Sequence, residues 1–192
     1  MQPLKSLVCS ALVSLALAAP IAAQATNSIN LIYDGLAAAN LRAMPTGVAA
    51  FDAWCDNRCS PTVQQPVYDM STGQQKGTIY VWAIFPFNPG PEIDTSFCFT
   101  EFFVVALAEG DLHAHSGPNG TCGATMDPSI KPPKYGAAVV IAGGGDGEIT
   151  GGTMKYRNWT GTFTDRVFVG FGNGGVGGII YYDSLMFSFT GK

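Results

Sequence analysis

The stretch Ala137–Phe163, AAVVIAGGGDGEITGGTMKYRNWTGTF, decides the fold class of this chain. Short apolar and β-branched runs alternate in it with glycine clusters, first at Gly143–Gly147 and then at Gly151–Gly152. Glycine adopts positive φ without a steric penalty, so such clusters are typical of tight turns between strands. The pattern predicts strands at Ala137–Ala142 and Glu148–Lys155, joined by a hairpin turn at the first glycine cluster.

Strand patterns continue on both sides of this stretch. The further predicted strands are Thr78–Phe85, Phe97–Leu107, Asp111–Ser116, Trp159–Phe171 and Gly178–Thr190. They are rich in β-branched and aromatic residues and are separated mostly by short turns. Because closing a sheet removes its exposed edges, seven to nine such strands predict an all-β protein, an eight-stranded antiparallel β-barrel.

The segments before and between these strands are less regular. Apolar residues at helical spacing and several alanines predict a short N-terminal helix from Asn27 or Ser28 to Met44, ended by Pro45. Residues 46–77 are rich in turn-forming residues, with room for one or two short strands. Residues 117–135 contain four prolines and are predicted to form a long loop.

Residues 1–25 have the organisation of a secretory signal peptide. Lys5 precedes the apolar run Leu7–Ala19, and Ala23-Gln24-Ala25 fits the small-x-small rule for cleavage. The apolar run is short for a membrane span. We therefore expect a secreted, extracellular protein with one barrel domain over residues 26–192 and no membrane segment in its mature form.

The amino-acid composition and net charge limit the classes of function to be expected for this chain. Only 12% of residues are charged, 47% are hydrophobic, and the net charge is −4. A nucleic-acid-binding face requires clustered lysine and arginine, and no basic run occurs in the chain. These values favour a compact β-rich protein and exclude nucleic acid as the expected partner.

Four cysteines follow the signal peptide, namely Cys55, Cys59, Cys98 and Cys122. In an oxidising compartment an even number predicts two disulfides, with three possible pairings. Because longer loops constrain the unfolded chain more, we expect Cys55 and Cys59 each to reach a distant cysteine. The spacings lack the Cys-x-x-Cys pairs of zinc sites. Asn119 and Asn158 lie in N-glycosylation motifs, which would be used in a eukaryotic host.

Three carboxylates are candidates for catalysis or binding because they interrupt apolar rows. Strand alternation places Asp165 and Asp183 each on a face of apolar residues, and Glu101 is the only charge within its strand. A buried carboxyl has a raised pKa and becomes a proton donor near neutral pH. The alternatives are solvated or salt-bridged positions near strand ends and, for Glu101, pairing with Arg166 or Arg157.

Aromatic residues are candidates for the walls of a ligand pocket. We expect a substrate to contact Tyr80, Trp82, Phe99 and Trp159, with Glu101 among them, although most aromatic residues in a barrel belong simply to the core.

Two histidines raise the hypothesis of a metal-binding site. Asp111, His113 and His115 fall on one side of a strand, a spacing similar to the metal motif of cupins, which are also β-barrels. The glutamate and the distant histidine of that motif are missing, so we expect no metal at these residues.

The order of motifs from about Gly77 to Gly191 resembles the dirigent and allene oxide cyclase superfamily. The resemblance rests on Gly110-Asp111-Leu112 and on Gly151-Gly152-Thr153-x-x-Tyr156, with Met154 where the family usually has a glycine. It implies an eight-stranded barrel that needs no cofactor and assembles as a dimer or trimer. It also implies stereochemical control over a reactive apolar intermediate. Secreted fungal proteins of this type are implicated in hetero-Diels–Alder steps of secondary metabolism.

The leading hypothesis is therefore a secreted cyclase. Holding two reactants in a near-attack geometry supplies up to about 7–11 kcal/mol, and one hydrogen-bond donor lowers the barrier further. Candidate donors are Asp165, Asp183, Tyr181, Arg166 and Tyr80. The alternatives are a non-catalytic barrel that binds a small ligand and a metal-dependent, cupin-like enzyme.

Overall fold

The computed structural model describes residues 27–36, 41–56, 58–84, 96–118, 120–125, 139–176 and 180–192. Side chains are described in these ranges except at positions 96, 97, 125, 139, 171–176 and 180–185. The strands are β1 (Asn27–Leu36), β2 (Val63–Asp69), β3 (Gln75–Ile84), β4 (Ser96–Leu107), β5 (Gly110–Ser116), β6 (Thr121–Thr125), β7 (Val139–Gly152), β8 (Gly161–Val176) and β9 (Ile180–Gly191). Helix α1 covers Ala49–Cys55, and a 3-10 turn covers Met154–Tyr156.

Eight of these strands close into an antiparallel barrel, which confirms the predicted fold class. The strands follow one another in the order β3-β2-β1-β9-β8-β7-β5-β4, and pairing of β3 with β4 closes the ring. The additional strand, β6, is also paired with both β4 and β7.

Strand β6 continues the barrel wall where β5 ends. The first part of β4 pairs with β6, and its second part pairs with β5. Strand β7 makes the same exchange, with β6 at positions 141–144 and with β5 at positions 147–152. The wall therefore contains a junction between Ser116, the last residue of β5, and Thr121, the first residue of β6.

Side-chain alternation fills the barrel interior with large apolar groups. On β4, Phe99, Phe103 and Val105 point inward and are almost completely buried. The inward-facing residues of the other strands include Leu31, Tyr33, Ile79, Val81, Ile141, Phe163, Val167, Phe187 and Phe189. One face of β4 thus points toward the aromatic interior, and the other face points toward the outside of the barrel wall.

Helix α1 covers part of that outside. Phe51 stacks on Phe102 with 4.1 Å between ring centroids, and it packs in a second apolar cluster with Trp82 and Val104. The outer surface of β3 and β4 is therefore buried under the helix.

The predicted N-terminal helix is wrong, because residues 27–36 form strand β1. Its inward residues Leu31 and Tyr33 alternate with outward ones, and β1 pairs along its whole length with β9. These long-range backbone hydrogen bonds outweigh a weak local preference for helix. The observed helix lies later, in the segment predicted to be rich in turns. Residues 37–40 lie outside the described part of the chain.

The predicted hairpin turn at Gly143–Gly147 is also wrong. The glycine run lies inside β7, which continues from Val139 to Gly152. Its glycines allow close approach to neighbouring strands, since a Cβ on Gly143 would overlap the carbonyl group of Cys122. Here glycine provides space between strands, and the chain does not reverse.

The disulfides form, but the expected pairing is wrong. Cys55 pairs with Cys59 across the end of α1, and Cys98 pairs with Cys122 across β4 and β6. Cys98 and Cys122 are direct partners in the strand register, so the sheet itself brings them together. The predicted loop 117–135 accordingly contains strand β6.

Across the described ranges, we find no helix long and apolar enough to cross a membrane.

Candidate functional site

Two of the three predicted carboxylates lie together inside the barrel. Glu101 on β4 and Asp165 on β8 are each only 1% exposed. For Asp165 this contradicts the alternative of a solvated position near a strand end. The side chain of Asp183, the third candidate, lies outside the described part, as does that of Tyr181.

The hydroxyl group of Thr121 joins the two carboxyl groups. Thr121 Oγ1 lies 2.5 Å from Glu101 Oε2 and 3.4 Å from Asp165 Oδ2, and the threonine is completely buried. A hydroxyl group has one hydrogen to donate. If both contacts are hydrogen bonds, the second carboxyl group has to be protonated and donate its own hydrogen to the hydroxyl oxygen. In that case the pair of buried acids holds one proton.

The surroundings of Asp165 favour its protonated form. Burial raises the pKa of the Asp165 carboxyl above its ordinary value. Hydrogen bonds from the Gly145 N–H and from Thr121, together with the charge of Arg166, act in the opposite direction without cancelling the effect of burial. The Gly145 N–H lies 2.5 Å from Asp165 Oδ1, so one oxygen is anchored to β7 while the other faces Thr121.

The backbone at Glu101 is held at the junction between β5 and β6. The Glu101 N–H donates a 2.8 Å hydrogen bond to Ser116 Oγ, which is itself buried. This N–H lies where β4 changes partners from β6 to β5, so a side-chain hydroxyl takes the place of a strand partner. The junction thus brings two hydroxyl groups and one carboxyl group to the interior face of the wall.

Apolar side chains surround the acids. Phe99 and Phe103 flank Glu101 on β4, and Phe163 and Val167 flank Asp165 on β8. Phe103 and Phe163 meet edge to face with 5.1 Å between ring centroids. The acid pair is therefore the polar feature of an otherwise aromatic section of the interior.

The other predicted contact residues are dispersed. Phe99 and Trp159 are buried in the interior core, as expected for either a core or a pocket role. Tyr80 and Trp82 point out of the barrel into the cluster beneath α1, where Trp82 Nε1 donates to the carbonyl group of Cys59. Their predicted place in the interior is corrected, because β3 turns Ile79 and Val81 inward.

Arg166 lies on the outer face of β8 and is exposed, where its Nη1 donates to the carbonyl oxygen of Asp165. Its side chain is therefore separated from the barrel interior. Arg157 is also exposed.

Asp111, His113 and His115 share the outer face of β5, as the alternation predicted. All three are partly buried, and burial lowers the pKa of His113. His115 Nδ1 lies 2.8 Å from the Ser116 carbonyl oxygen. Among the residues whose placement is described, no group of three or more histidine, cysteine or acidic side chains is arranged to hold a metal ion.

Sequence reasoning missed Thr121, Ser116 and Gly145. A signal for Thr121 was present, because it precedes Cys122. Pairing Cys122 with Cys98 places Thr121 opposite Phe99, on the same face as Glu101.

Of the glycosylation motifs, Asn158 is exposed and accessible, whereas Asn119 lies outside the described residues.

Comparisons of the chain with protein-family models, curated proteins and solved structures found no match. The resemblance to dirigent proteins and allene oxide cyclases therefore stays a prediction.

Proposed function

We propose that this protein is a secreted, cofactor-independent cyclase that steers ring closure of a reactive apolar intermediate. The observation that carries the proposal is the contact of one buried hydroxyl, on Thr121, with carboxyl oxygens of both Glu101 and Asp165. The pair lies among the aromatic side chains that fill the interior, so a substrate reaches it when some of these side chains move.

Cyclisation of a reactive intermediate requires little chemical machinery. A wall of aromatic side chains holds an apolar molecule in a folded conformation, and confinement contributes most of the rate enhancement. A neutral carboxyl group then donates a hydrogen bond to the oxygen on which negative charge develops. In a site from which water is excluded, such a donor has a larger effect than it would in water.

One acid of the pair acts as a hydrogen-bond donor, and the other acts as an acceptor. When Asp165 holds the proton, its O–H donates to Thr121 Oγ1 in the resting site and turns to the substrate oxygen during ring closure, while Thr121 continues to donate to Glu101. The O–H returns to Thr121 when the product leaves, so no net proton is transferred. Two neighbouring carboxyl groups resist simultaneous ionisation, which keeps the donor available near neutral pH.

The two disulfides support the secreted part of the proposal. Disulfides form and persist in oxidising compartments, and this protein has one that links β4 to β6 and another at the end of α1.

Native mass spectrometry of the protein from its own producer's culture tests the proposal first. We expect a co-purifying apolar natural product, whose precursor is then the substrate to assay. With that precursor, Asp165→Asn and Glu101→Gln should lower the rate by roughly 10²–10⁴-fold and reduce stereoselectivity. Asp146→Asn removes an exposed acid of β7 and is the matched control.

Three outcomes would contradict the proposal. Tight binding of the natural product with no turnover would identify a ligand-binding barrel. Turnover with rate and product ratios unchanged in both variants would remove the two acids from the reaction. A bound transition metal without an organic ligand would shift attention to His113 and His115.

A further inference from the structure

A second concave site lies at one end of the barrel. Three turns meet there: the β2–β3 turn, the β4–β5 turn and the 3-10 turn that follows β7. Between them and the start of β1 is an open cleft of about 820 Å³. Glu101, Thr121 and Asp165 are not among its lining residues, so the cleft is separate from the acid pair.

A charged group with fixed geometry forms one wall of the cleft. Glu109 Oε2 accepts hydrogen bonds from Lys155 Nζ at 2.8 Å and from Tyr156 Oη at 3.0 Å. The bond from Lys155 lowers the pKa of Glu109, while burial and the bond to Glu109 raise the pKa of Tyr156 to about 12. The contact therefore favours the ionised form of Glu109 and the neutral phenol of Tyr156.

Lys76 adds a positive charge to this wall. Its charge also lowers the pKa of Glu109, yet Lys76 makes no direct ion pair within the described part of the chain. The other acid in the lining, Asp69, is engaged in its own turn, because its Oδ1 accepts four hydrogen bonds from Ser71 and Thr72. Lys76 is thus the cation of the cleft whose charge remains available to a ligand.

The lining of the cleft also contains apolar side chains. Ile29 and Leu107 are partly buried and pack on the core, and Met70 is 48% exposed. Asn30 lies beside them, and its Oδ1 accepts a hydrogen bond from Ser188, so its amide group remains available as a donor. A ligand that fits both Lys76 and the apolar residues carries an anionic group at one end and a hydrocarbon or aromatic body at the other.

We propose that this cleft binds a small organic carboxylic acid, with its carboxylate at Lys76 and its apolar body against Met70 and Leu107. The volume lies within the usual range of small-molecule sites, about 300–1,000 Å³. Ammonium groups at a partly exposed site recognise a carboxylate by charge, so neutral analogues bind less well.

Calorimetric titration of the full secreted protein with naphthalene-2-carboxylate tests the inference, with naphthalene-2-carboxamide as the neutral counterpart. We expect the carboxylate to bind more tightly than the amide, and Lys76→Met to weaken it by about fivefold. Lys192→Met removes an exposed lysine outside the cleft and should leave the affinity unchanged. Higher ionic strength should reduce the preference for the carboxylate.

Three results would each overturn the inference: no binding of the carboxylate at millimolar concentration, equal binding of the two compounds, or equal effects of Lys76→Met and Lys192→Met. The inference does not depend on the proposed cyclase activity. A Glu101→Gln variant should bind the carboxylate as the unmodified protein does, so failure of either proposal can be recognised separately.

Discussion

Gly145 and Asp165 lie opposite each other on β7 and β8, and the Gly145 N–H donates a 2.5 Å hydrogen bond to Asp165 Oδ1. This bond fixes one carboxyl oxygen and leaves the other directed at Thr121. A Cβ at position 145 would lie only 2.9 Å from Thr121 Oγ1. The glycine cluster therefore creates the space in which the acid pair is assembled.

Gly145→Ala should disturb this arrangement. The added methyl group would force Thr121 or its strand to move, and overpacking of this kind costs about 1–3 kcal/mol in the free energy of unfolding. Urea denaturation measures the loss. Gly117→Ala is the control, because a Cβ there comes no closer than 3.4 Å to its neighbours. Equal stability of the two variants would show that position 145 is not tightly packed.

Thr121→Val should destabilise the protein although the two side chains have nearly the same shape. The change removes the hydroxyl group between two buried carboxyl groups and leaves polar oxygens without that partner, at a cost of about 1–3 kcal/mol. Thr164→Val, on the exposed face of β8, should change stability by no more than about 0.5 kcal/mol. Thermal or chemical denaturation of both variants gives the comparison. A neutral effect of Thr121→Val would mean that the hydroxyl does not connect the acids.

Asp165→Asn should change how stability depends on pH. Burial raises the pKa of Asp165 above 3.8, so the folded state keeps a proton that the unfolded chain loses above about pH 4. The folded state binds more protons there, and its stability therefore falls as the pH rises toward the raised pKa. Asparagine has no such proton to lose and can still accept from Gly145.

The free energy of unfolding of Asp165→Asn minus that of the unmodified protein should thus increase with pH above 4, by ~1.4 kcal/mol for each unit by which the pKa is raised. Asp146→Asn, at the exposed surface, corrects for the loss of one negative charge. A difference that stays constant from pH 4 to pH 8 would contradict the raised pKa.

The two disulfides should contribute unequally. Cys98–Cys122 spans 24 positions and Cys55–Cys59 only 4. Loop entropy assigns them about 3.5 and about 2 kcal/mol, respectively. Replacing each pair by serines and measuring the free energy of unfolding tests this order. A larger loss from the Cys55–Cys59 replacement would indicate that the attachment of α1 matters more than closure of the wall.

The sequence predicted the structure correctly where its apolar pattern matches the burial of the residues. The strand around Phe163 alternates between apolar and polar residues, and the strand around Phe103 is a long apolar and aromatic run. The structure forms both strands, as predicted. The same alternation identified Glu101 and Asp165 as carboxyl groups on apolar faces. Such interruptions can be recognised from the sequence because burying a charge is costly and therefore uncommon.

The failures came from interactions between residues distant in the sequence. β1 looked helical because its apolar spacing and the alanines that follow it in the sequence are local features, whereas its pairing with β9 joins residues far apart in the chain. The glycine run in β7 looked like a turn because glycine allows both a turn and a close approach, and the neighbouring strand decides between them. Tyr80 and Trp82 were assigned to the interior because their strand is apolar on both faces, and only the position of α1 distinguishes the faces.

The central claim is that Glu101 and Asp165 together retain a proton at neutral pH. A carbon-detected NMR titration of the aspartate and glutamate carboxyl groups from pH 3 to pH 9 measures it directly, with Asp165→Asn and Glu101→Gln used to assign the signals. The account predicts that one carboxyl group of the pair is still protonated at pH 7, and that each substitution changes the titration of the remaining acid. Complete ionisation of both carboxyl groups by pH 5 would contradict the account.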